Sequence, residues 1–561
     1  MKKFLSLLLT VALLLGMCSF TVAVADEEPM EIVFFDDAAN YNGEQTGWFA
    51  KVVLDRFNIK LNIIASQVIG DEVFATRSAE GNLGDIIIMD KSKFADVVEA
   101  GLVKDISDKI GDIKNLQPFM TQIDAFNQKF LGKDAGVYYG IPDQMTDTSA
   151  VGLTGEMIYS SPQVRWDLYK EAGSPELKDI DDLLALLEKI HEIHPTNEDG
   201  DPAYPFSLWP DWDNNDNMSG PANVVQLTTW FGDKMKGSAL LKADNTWVKL
   251  YDKDSGYYKI TKFINQAYQK GLVDPESFEQ DWNSLPTKIS SGRVDLMWYN
   301  WQQGFWNSQE RLDNGTAFQT IPVEGFNFYA DADTFYGGDR AWGIGVGVEG
   351  EKYDKIIEFL DWYASPEGLT FEHCGIEGLN YTVGEDGKFI PYKDNALMDN
   401  LPVPDEYGGG GYQDGNNAIN QWLLASICTN PNTGETYDMK YWASYIAKNM
   451  TEMKKEWQEK FGANDPVDWM KKNGKVTISP NCIAEMATDS NDIAVLRNTI
   501  NQTLCQYTWQ MFAAASDEEF EAKWDEMVAE LDGLDYETLY NFDVAKWQVQ
   551  VDAKIAAAAG E

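Results

Sequence analysis

The 561-residue chain carries 90 acidic against 45 basic residues, a formal charge of −45. At that charge phosphate repulsion excludes nucleic acid as a partner and argues against an anionic membrane surface as a binding target. The 44% apolar content is enough for a sizeable core, and the length exceeds what one core serves, so two or more lobes are expected.

Residues 1–25 read as a segment outside the mature fold. Lys2 and Lys3 precede a nearly apolar run from Phe4 to Met17, and Ala23-Val24-Ala25 has the small-x-small form of a cleavage site. The run is too short for a comfortable permanent span. A second reading stays open, in which Leu15-Gly16-Met17-Cys18 is a lipoprotein signal and Cys18 is acylated. Met17 stands there where a small residue is usual. Either reading places the mature chain outside the cell membrane. Loss of residues 1–25 removes two lysines and no acid, leaving 43 basic and 90 acidic residues, or −47.

The segment EIVFF (31–35) predicts a strand, and the loop 36–47 follows. Phe49, Val52, Val53 and Phe57 recur at helical spacing, Ile59, Leu61 and Ile63 alternate as in a strand, and 85–89 is a short apolar run of the kind buried on both faces. Strand, helix, strand, helix, strand is the pattern of a parallel α/β sheet, whose ligands sit beyond the carboxyl ends of strands. That draws attention to Asp36, Asp37, Asn40 and Asp90. Further on, Leu183, Leu186, Leu187 and Ile190 form an apolar helical stripe with Asp179, Asp181 and Asp182 at its start. Ile356, Phe359, Leu360 and Tyr363 form another, and Ser365-Pro366 restarts a helix with a cap and an initial proline. Glycines 408–411 mark a loop, and Phe520, Trp524, Met527 and Leu531 share a late helical face. Cys374, Cys428, Cys482 and Cys505, spaced 54, 54 and 23 apart, contain no C-x-x-C motif. An exported protein allows one or two disulfides among them, with the pairing left open.

Several of these segments resemble, in order, the extracellular solute-binding proteins of bacterial ABC importers, in particular the large carbohydrate-type subgroup of Gram-positive surface lipoproteins. Ala100-Gly101-Leu102-Val103-Lys104-Asp105-Ile106, Tyr139-Gly140-Ile141-Pro142, MIYSSPQVRWDLYKEAGSPELKDIDDLLALLEKI (157–190), QKGLVDPESFEQD (269–281) with Ser291-Gly292-Arg293-Val294, FLDWYASPEGLTFEHCGIEGLNY (359–381) and DEEFEAKWDEMVAEL (517–531) carry the resemblance. Two departures stand out: the lipobox is imperfect, and His194-Pro195-Thr196-Asn197-Glu198-Asp199-Gly200 replaces an acidic, calcium-type loop. Pro195 falls on the first ligand position of that loop, which argues against a tight metal site.

The resemblance implies a helix-rich α/β clamshell of the type II periplasmic-binding-protein kind, with the ligand in the cleft. Lobe 1 is expected over 26–146 and 340–395, and lobe 2 over 147–339 and 396–561. It also implies an ABC permease as partner, action as a monomer, and no cofactor. Sugars present apolar C–H faces and a rim of hydroxyls, which call for aromatic rings and for Asp, Asn, Gln or Arg side chains. SSGRVDLMWYNWQQGFW (290–306) supplies Trp298, Trp301 and Trp306; LWPDWDNND (208–216) supplies Trp209, Asp211 and Trp212; YGGDRAWGIG (336–345) supplies Asp339, Arg340 and Trp342. With Asp37, Asn40 and Asp90 these are the candidate contacts for an oligosaccharide. A tryptophan is largely buried in most proteins, so each is also a candidate core residue.

A secreted carbohydrate-active enzyme and a binder of peptides or other non-sugar solutes remain as alternatives. Catalytic signatures are weak. His191-Glu192-Ile193-His194 spaces its histidines three apart rather than four, and no P-loop or G-x-S-x-G elbow occurs.

Overall fold

The computed structural model describes residues 28–70, 72–155, 157–214, 220–392, 397, 400–484 and 486–560. The expected signal at 1–25, with Cys18, lies outside the described residues.

In chain order the strands are β1 (Met30–Asp36), β2 (Gly43–Glu44), β3 (Ile59–Ile64), β4 (Ile86–Asp90) and β5 (Ile141–Pro142), then β6 (Ser160–Arg165). A three-stranded meander follows as β7 (Lys234–Lys236), β8 (Ala239–Leu241) and β9 (Trp247–Lys249). Next come β10 (Leu296–Tyr299), β11 (Phe318–Thr320), β12 (Phe328–Asp331), β13 (Arg340–Ile344), the hairpin β14 (Tyr381–Val383) and β15 (Phe389–Pro391), and β16 (Val476–Ser479).

Lobe 1 is built on a six-stranded sheet in the order β2-β3-β1-β4-β13-β5. β1 runs parallel to β3 and β4, while β13 returns antiparallel to β4. The unbroken apolar runs of β1 and β4 follow from burial on both faces. Phe34 packs into one core beside Trp342 and Phe359, and its neighbour Phe35 points into the opposite one with Phe94 and Val97. In lobe 2, β6 lies between β10 and β11, antiparallel to both. Helices surround it. In the helix Ile180–Ile193 the stripe Leu183, Leu186, Leu187 and Ile190 is buried as its spacing predicts, and Asp179 caps the start by accepting from the backbone N–H of Asp181 and Asp182.

One boundary differs from the expectation. Residues 400–442 belong to lobe 1, not lobe 2. Val403, Tyr412, Ile419, Leu423 and Trp442 sit in the lobe-1 core, while Met453 is the next residue in the lobe-2 core. The third crossing between lobes therefore falls between Trp442 and Met453. The physical reason is a backbone-to-backbone contact: Phe49 N–H donates to Gly415 O at 3.1 Å, Gln45 bonds both Asn416 and Ala418, and Trp48 Nε1 donates to Tyr412 O. The cysteines are also settled: Cys374, Cys428, Cys482 and Cys505 are all free thiols.

The crossings fix which strand ends face the cleft. β5 leaves lobe 1 beside Arg340, where Asp143 N–H donates to Arg340 O and Arg340 pairs across to Asp90 at the end of β4. β6 enters lobe 2 at Ser160, which pairs with Tyr299 at the end of β10. The lobe-1 sheet thus presents its Asp36–Asp90–Arg340 end, and the lobe-2 sheet its Tyr159–Tyr299 end, toward the hinge.

Candidate functional site

The lobe-2 side of the cleft is a layered aromatic stack. Its lower layer is Trp209 and Trp298, ring planes 1° apart with centroids at 5.2 Å, and both rings are closed off from solvent. Trp298 Nε1 donates to Gln226 at 2.9 Å. The upper layer is Trp212, Trp282 and Trp301, all half-buried, with Trp212–Trp282 at 4.9 Å and Trp282–Trp301 at 5.0 Å. Trp212 meets the lower layer edge-on against Trp209, and Trp301 lies nearly parallel on Tyr299 at 5.1 Å. Phe305 and Tyr159 rim the stack and are exposed, at 37% and 59%. Asp211 holds the edge in place by accepting from Trp282 N–H at 2.9 Å.

The sequence-derived candidates therefore divide. Trp212 and Trp301 reach the surface that a ligand can touch. Trp209 and Trp298 do not; they support the layer above, so their assignment as contacts is corrected to a packing role. Trp306 is elsewhere: its ring packs on the turn at Gly292 and is covered by Arg311, 3.4 Å away, and Arg165, 5.0 Å away, while Nε1 donates to Thr316 O. Trp342 is a core residue of lobe 1, packed edge-on to Phe34 and against Tyr363. Trp282, Tyr159 and Phe305 are the members that sequence reasoning missed. Trp282 follows the quoted motif ending in Asp281, and its proximity to a tryptophan pair distant in sequence is a tertiary fact with no local signal.

The lobe-1 rim is charged. Asp37 accepts from Asp90 N–H at 3.2 Å and lies 3.6 Å from Arg340 Nε and 3.9 Å from Lys93 Nζ. It lines a cavity of about 350 Å³ with Phe35, Ser66, Phe74, Met89, Lys93 and Asp96, which mixes apolar and polar walls as a sugar ring requires. Asn40 is exposed at its edge and accepts from Gln67 at 2.8 Å. Asp90 caps the helix Lys91–Glu99 through Ser92 N–H, so its oxygen is already engaged. Asp339 is exposed, and its carbonyl accepts from Lys91 N–H.

Two buried carboxyls sit behind this rim. Burial pushes Asp36 up to about 7, against the Ala38 N–H bond that favours its charge, and Asp37 adds to the rise. Burial likewise pushes Asp143 up to about 6, opposed by the N–H of Arg340 and by Lys91. Asp36 Oδ2, Asp37 Oδ1, Asp143 Oδ2 and Arg340 Nε have no hydrogen-bond partner among the described residues. They are polar atoms poised at the end of the sheet that faces lobe 2.

The loop at 194–201 is closed without a metal ligand set. Asn197 is buried, its side-chain oxygen accepts from Asp199 and Asp201 N–H, and its amide donates to Ser291 O. Among the described residues no group of three or more His, Cys, Asp or Glu side chains is placed to hold a metal ion.

A family model for bacterial extracellular solute-binding proteins matches residues 42–370, which take in the lobe-1 sheet apart from β1, the aromatic stack and both of the first two crossings. The chain belongs to this family. Solute-binding proteins of this family bind rather than convert their ligand, so the charged rim reads as a recognition surface and not as a catalytic pair. A curated relative, the fructooligosaccharide ABC transporter substrate-binding protein FusA of Streptococcus pneumoniae, is 25% identical over 254 residues, 44% of each chain. The alignment thus spans less than half of that relative. Among solved structures, a solute-binding protein from Bifidobacterium longum infantis described as binding HMO and associated with an ABC transporter has a TM-score of 0.58 at 13% identity, covering 93% of this chain and 99% of the other. FusA in complex with kestose has a TM-score of 0.55 at 15% identity, covering 93% and 100%. These likenesses establish the type II periplasmic-binding-protein-like fold.

Proposed function

We propose that this solute-binding protein captures an oligosaccharide between its lobes, outside the cell, and delivers it as a monomer to the permease of an ABC importer. One observation carries the reading: the half-buried stack Trp212–Trp282–Trp301, rimmed by Tyr159 and Phe305, at the end of lobe 2 that faces lobe 1. Flat rings presented to a cleft cover the C–H faces of pyranose or furanose rings, and the rim of Asp37, Asn40, Arg340 and Lys93 supplies partners for hydroxyls. The ligands named for these relatives, fructooligosaccharide and kestose, are of the same class. Closure of the two lobes around the ligand supplies the signal that a permease reads. Release of residues 1–25 leaves the chain secreted, whereas acylation at Cys18 attaches it to the outer face of the cell membrane.

The test is titration of intrinsic tryptophan emission with a panel of glycans and peptides. A glycan that shifts emission saturably, and remains intact on long incubation, supports the proposal. Saturation by a peptide alone, or steady appearance of cleaved glycan, overturns it.

A further inference from the structure

A second cluster has different chemistry. β7, β12, β16 and the last helix, Tyr536–Ala559, bring Lys234, Lys236 and Lys554 around a single carboxylate, Asp331. Lys234 Nζ lies 4.0 Å from Asp331 Oδ2 and 5.0 Å over the Tyr329 ring. Lys236 Nζ sits 4.4 Å over Trp547 and has no ion pair among the described residues, and Lys554 Nζ bonds Ser479 Oγ. Tyr329 OH donates to Asp331 Oδ1 at 3.0 Å, which engages part of the one available anion.

The cluster lies at the hinge. Just beyond β16, Asn481 N–H donates to Ala150 O of the first crossing, and its side-chain oxygen accepts from Tyr336 N–H of the second. Lys91 of lobe 1 acts electrostatically on Cys482, as do Lys236 and Lys554 from lobe 2. Three lysines of lobe 2 thus converge on one region, with Lys91 of lobe 1 nearby among Asp143, Asp339 and Asp90, in a chain with twice as many acids as bases. Their state agrees with an excess of positive charge. Burial, then Lys554 and Lys234, push Lys236 down to about 8; burial also lowers Lys91 and Lys554. Desolvation by the crowded surroundings works against the charge of Asp331, whose side chain is exposed, and Lys234, Lys554 and Lys236 outweigh it and hold its carboxyl below the ordinary range.

A structural wall has no need of three half-exposed, mutually repelling ammonium groups, whose repulsion a bound anion relieves. We infer that the solute is an anionic oligosaccharide, with a carboxylate or sulfate on a sugar ring that pairs with Lys234, Lys236 and Lys554 at the floor of the cleft. This rests on the reading of the cleft as a glycan site. The aromatic stack then holds a ring face while the lysines read the acid, and the neutral analogue leaves their charge unpaired.

The experiment uses the mature chain and matched glycan pairs: tetragalacturonate and its methyl ester, a sulfated chondroitin tetrasaccharide and its desulfated, carboxyl-reduced form, and sialyllactose and lactose. Thermal shift screens the panel and calorimetry measures affinity. At least one acidic member binds, about tenfold or more tighter than its neutral partner, and the double variant Lys236→Gln, Lys554→Gln abolishes that preference. Because the substitutions relieve repulsion, the variant melts no lower than the parent, which separates lost recognition from lost folding. A response of the galacturonate or sialyllactose pair assigns the carboxylate, and retention or loss of binding by the chondroitin chain desulfated with its carboxylates intact separates carboxylate from sulfate. Binding of neutral members alone, or an acid preference that survives the double variant, overturns the inference and leaves the glycan reading standing. Failure of every glycan overturns both.

Discussion

At the scale of single residues, the tryptophans of one sequence cluster have opposite duties. Trp298 and Trp301 are three positions apart, yet one is sealed beneath the stack with its Nε1 bonded to Gln226 and the other is half-open on Tyr299. Trp298→Ala is expected to lower stability by about 3–5 kcal/mol, the cost of emptying a large buried site. Chemical denaturation checks it, and an unchanged midpoint would place Trp298 outside the core. Trp301→Ala is expected to leave the melting temperature within a degree or two while weakening glycan binding by about 1–3 kcal/mol, measured by calorimetry. Asp90 belongs with Trp298. As the cap of a helix it contributes about 1 kcal/mol to stability, so Asp90→Ala shifts the unfolding midpoint and not the affinity. A clustering of aromatics was visible in the sequence. Which ring ends up outermost was not, because that depends on Trp209, Trp212 and Trp282 arriving from elsewhere in the chain.

At the scale of elements, periodic segments were legible and aperiodic ones were not. The stripe 183–190 and the alternation at 59–63 announced a helix and a strand because each exposes one face to water. Residues 400–442 have no such period, being turns and short 3-10 segments that bury side chains individually against lobe 1. Their anchor is the approach of Gly415 to Gly47. A Cβ on Gly415 would meet Trp48 N at 2.6 Å, and Gly47 itself holds φ at +85°, a region that L side chains rarely adopt. Gly415→Ala is therefore expected to destabilise lobe 1 by about 2 kcal/mol or more, and limited proteolysis should open the 400–442 segment ahead of lobe 2. The last helix, Tyr536–Ala559, was likewise hidden, since its apolar positions serve both lobes: Tyr536 and Leu539 enter the lobe-2 core and Ala557 packs with the second core of lobe 1. It is pinned by Asp543, fully buried, which accepts from both terminal nitrogens of Arg497 and from Ser238 N–H. Removing that carboxylate in Asp543→Ala leaves Arg497 paired with Asp489 alone and the buried Ser238 N–H without its acceptor, for an expected loss of about 2–3 kcal/mol, read as a lower melting temperature.

At the scale of the whole molecule, the two lobes and their α/β class followed from length and the ordered motifs, whereas the charge balance of the folded state needed coordinates. A chain of 90 acids against 45 bases repels itself at neutral and high pH. The buried carboxyls add a pH dependence of the same sign. Burial raises Asp36 from 3.8 to about 7, Asp143 from 3.8 to about 6, and Glu372 from 4.5 to about 8, the last despite bonds from Asn417, Trp422 and Tyr363 that favour its charge. Between the unfolded and folded values the native state holds more protons than the unfolded chain, so stability falls as pH rises through that window and is recovered on acidification. His373 opposes this lower down. Burial depresses it from 6.5 to about 4, so the unfolded chain takes up its proton first and stability drops once pH falls below that upper value. From pH 8 to about 6.5 the raised carboxyls are opposed at the upper end by Lys236, held at about 8 below its ordinary 10.5, and they outnumber it. The melting temperature, followed by scanning calorimetry, is therefore expected to rise by several degrees on going from pH 8 to pH 6.5. Asp36→Asn mimics the neutral acid. It should raise the melting point at pH 8 and flatten the slope, while a parent protein that loses stability over the same interval would show that Asp36 and Glu372 are ionised in the folded state.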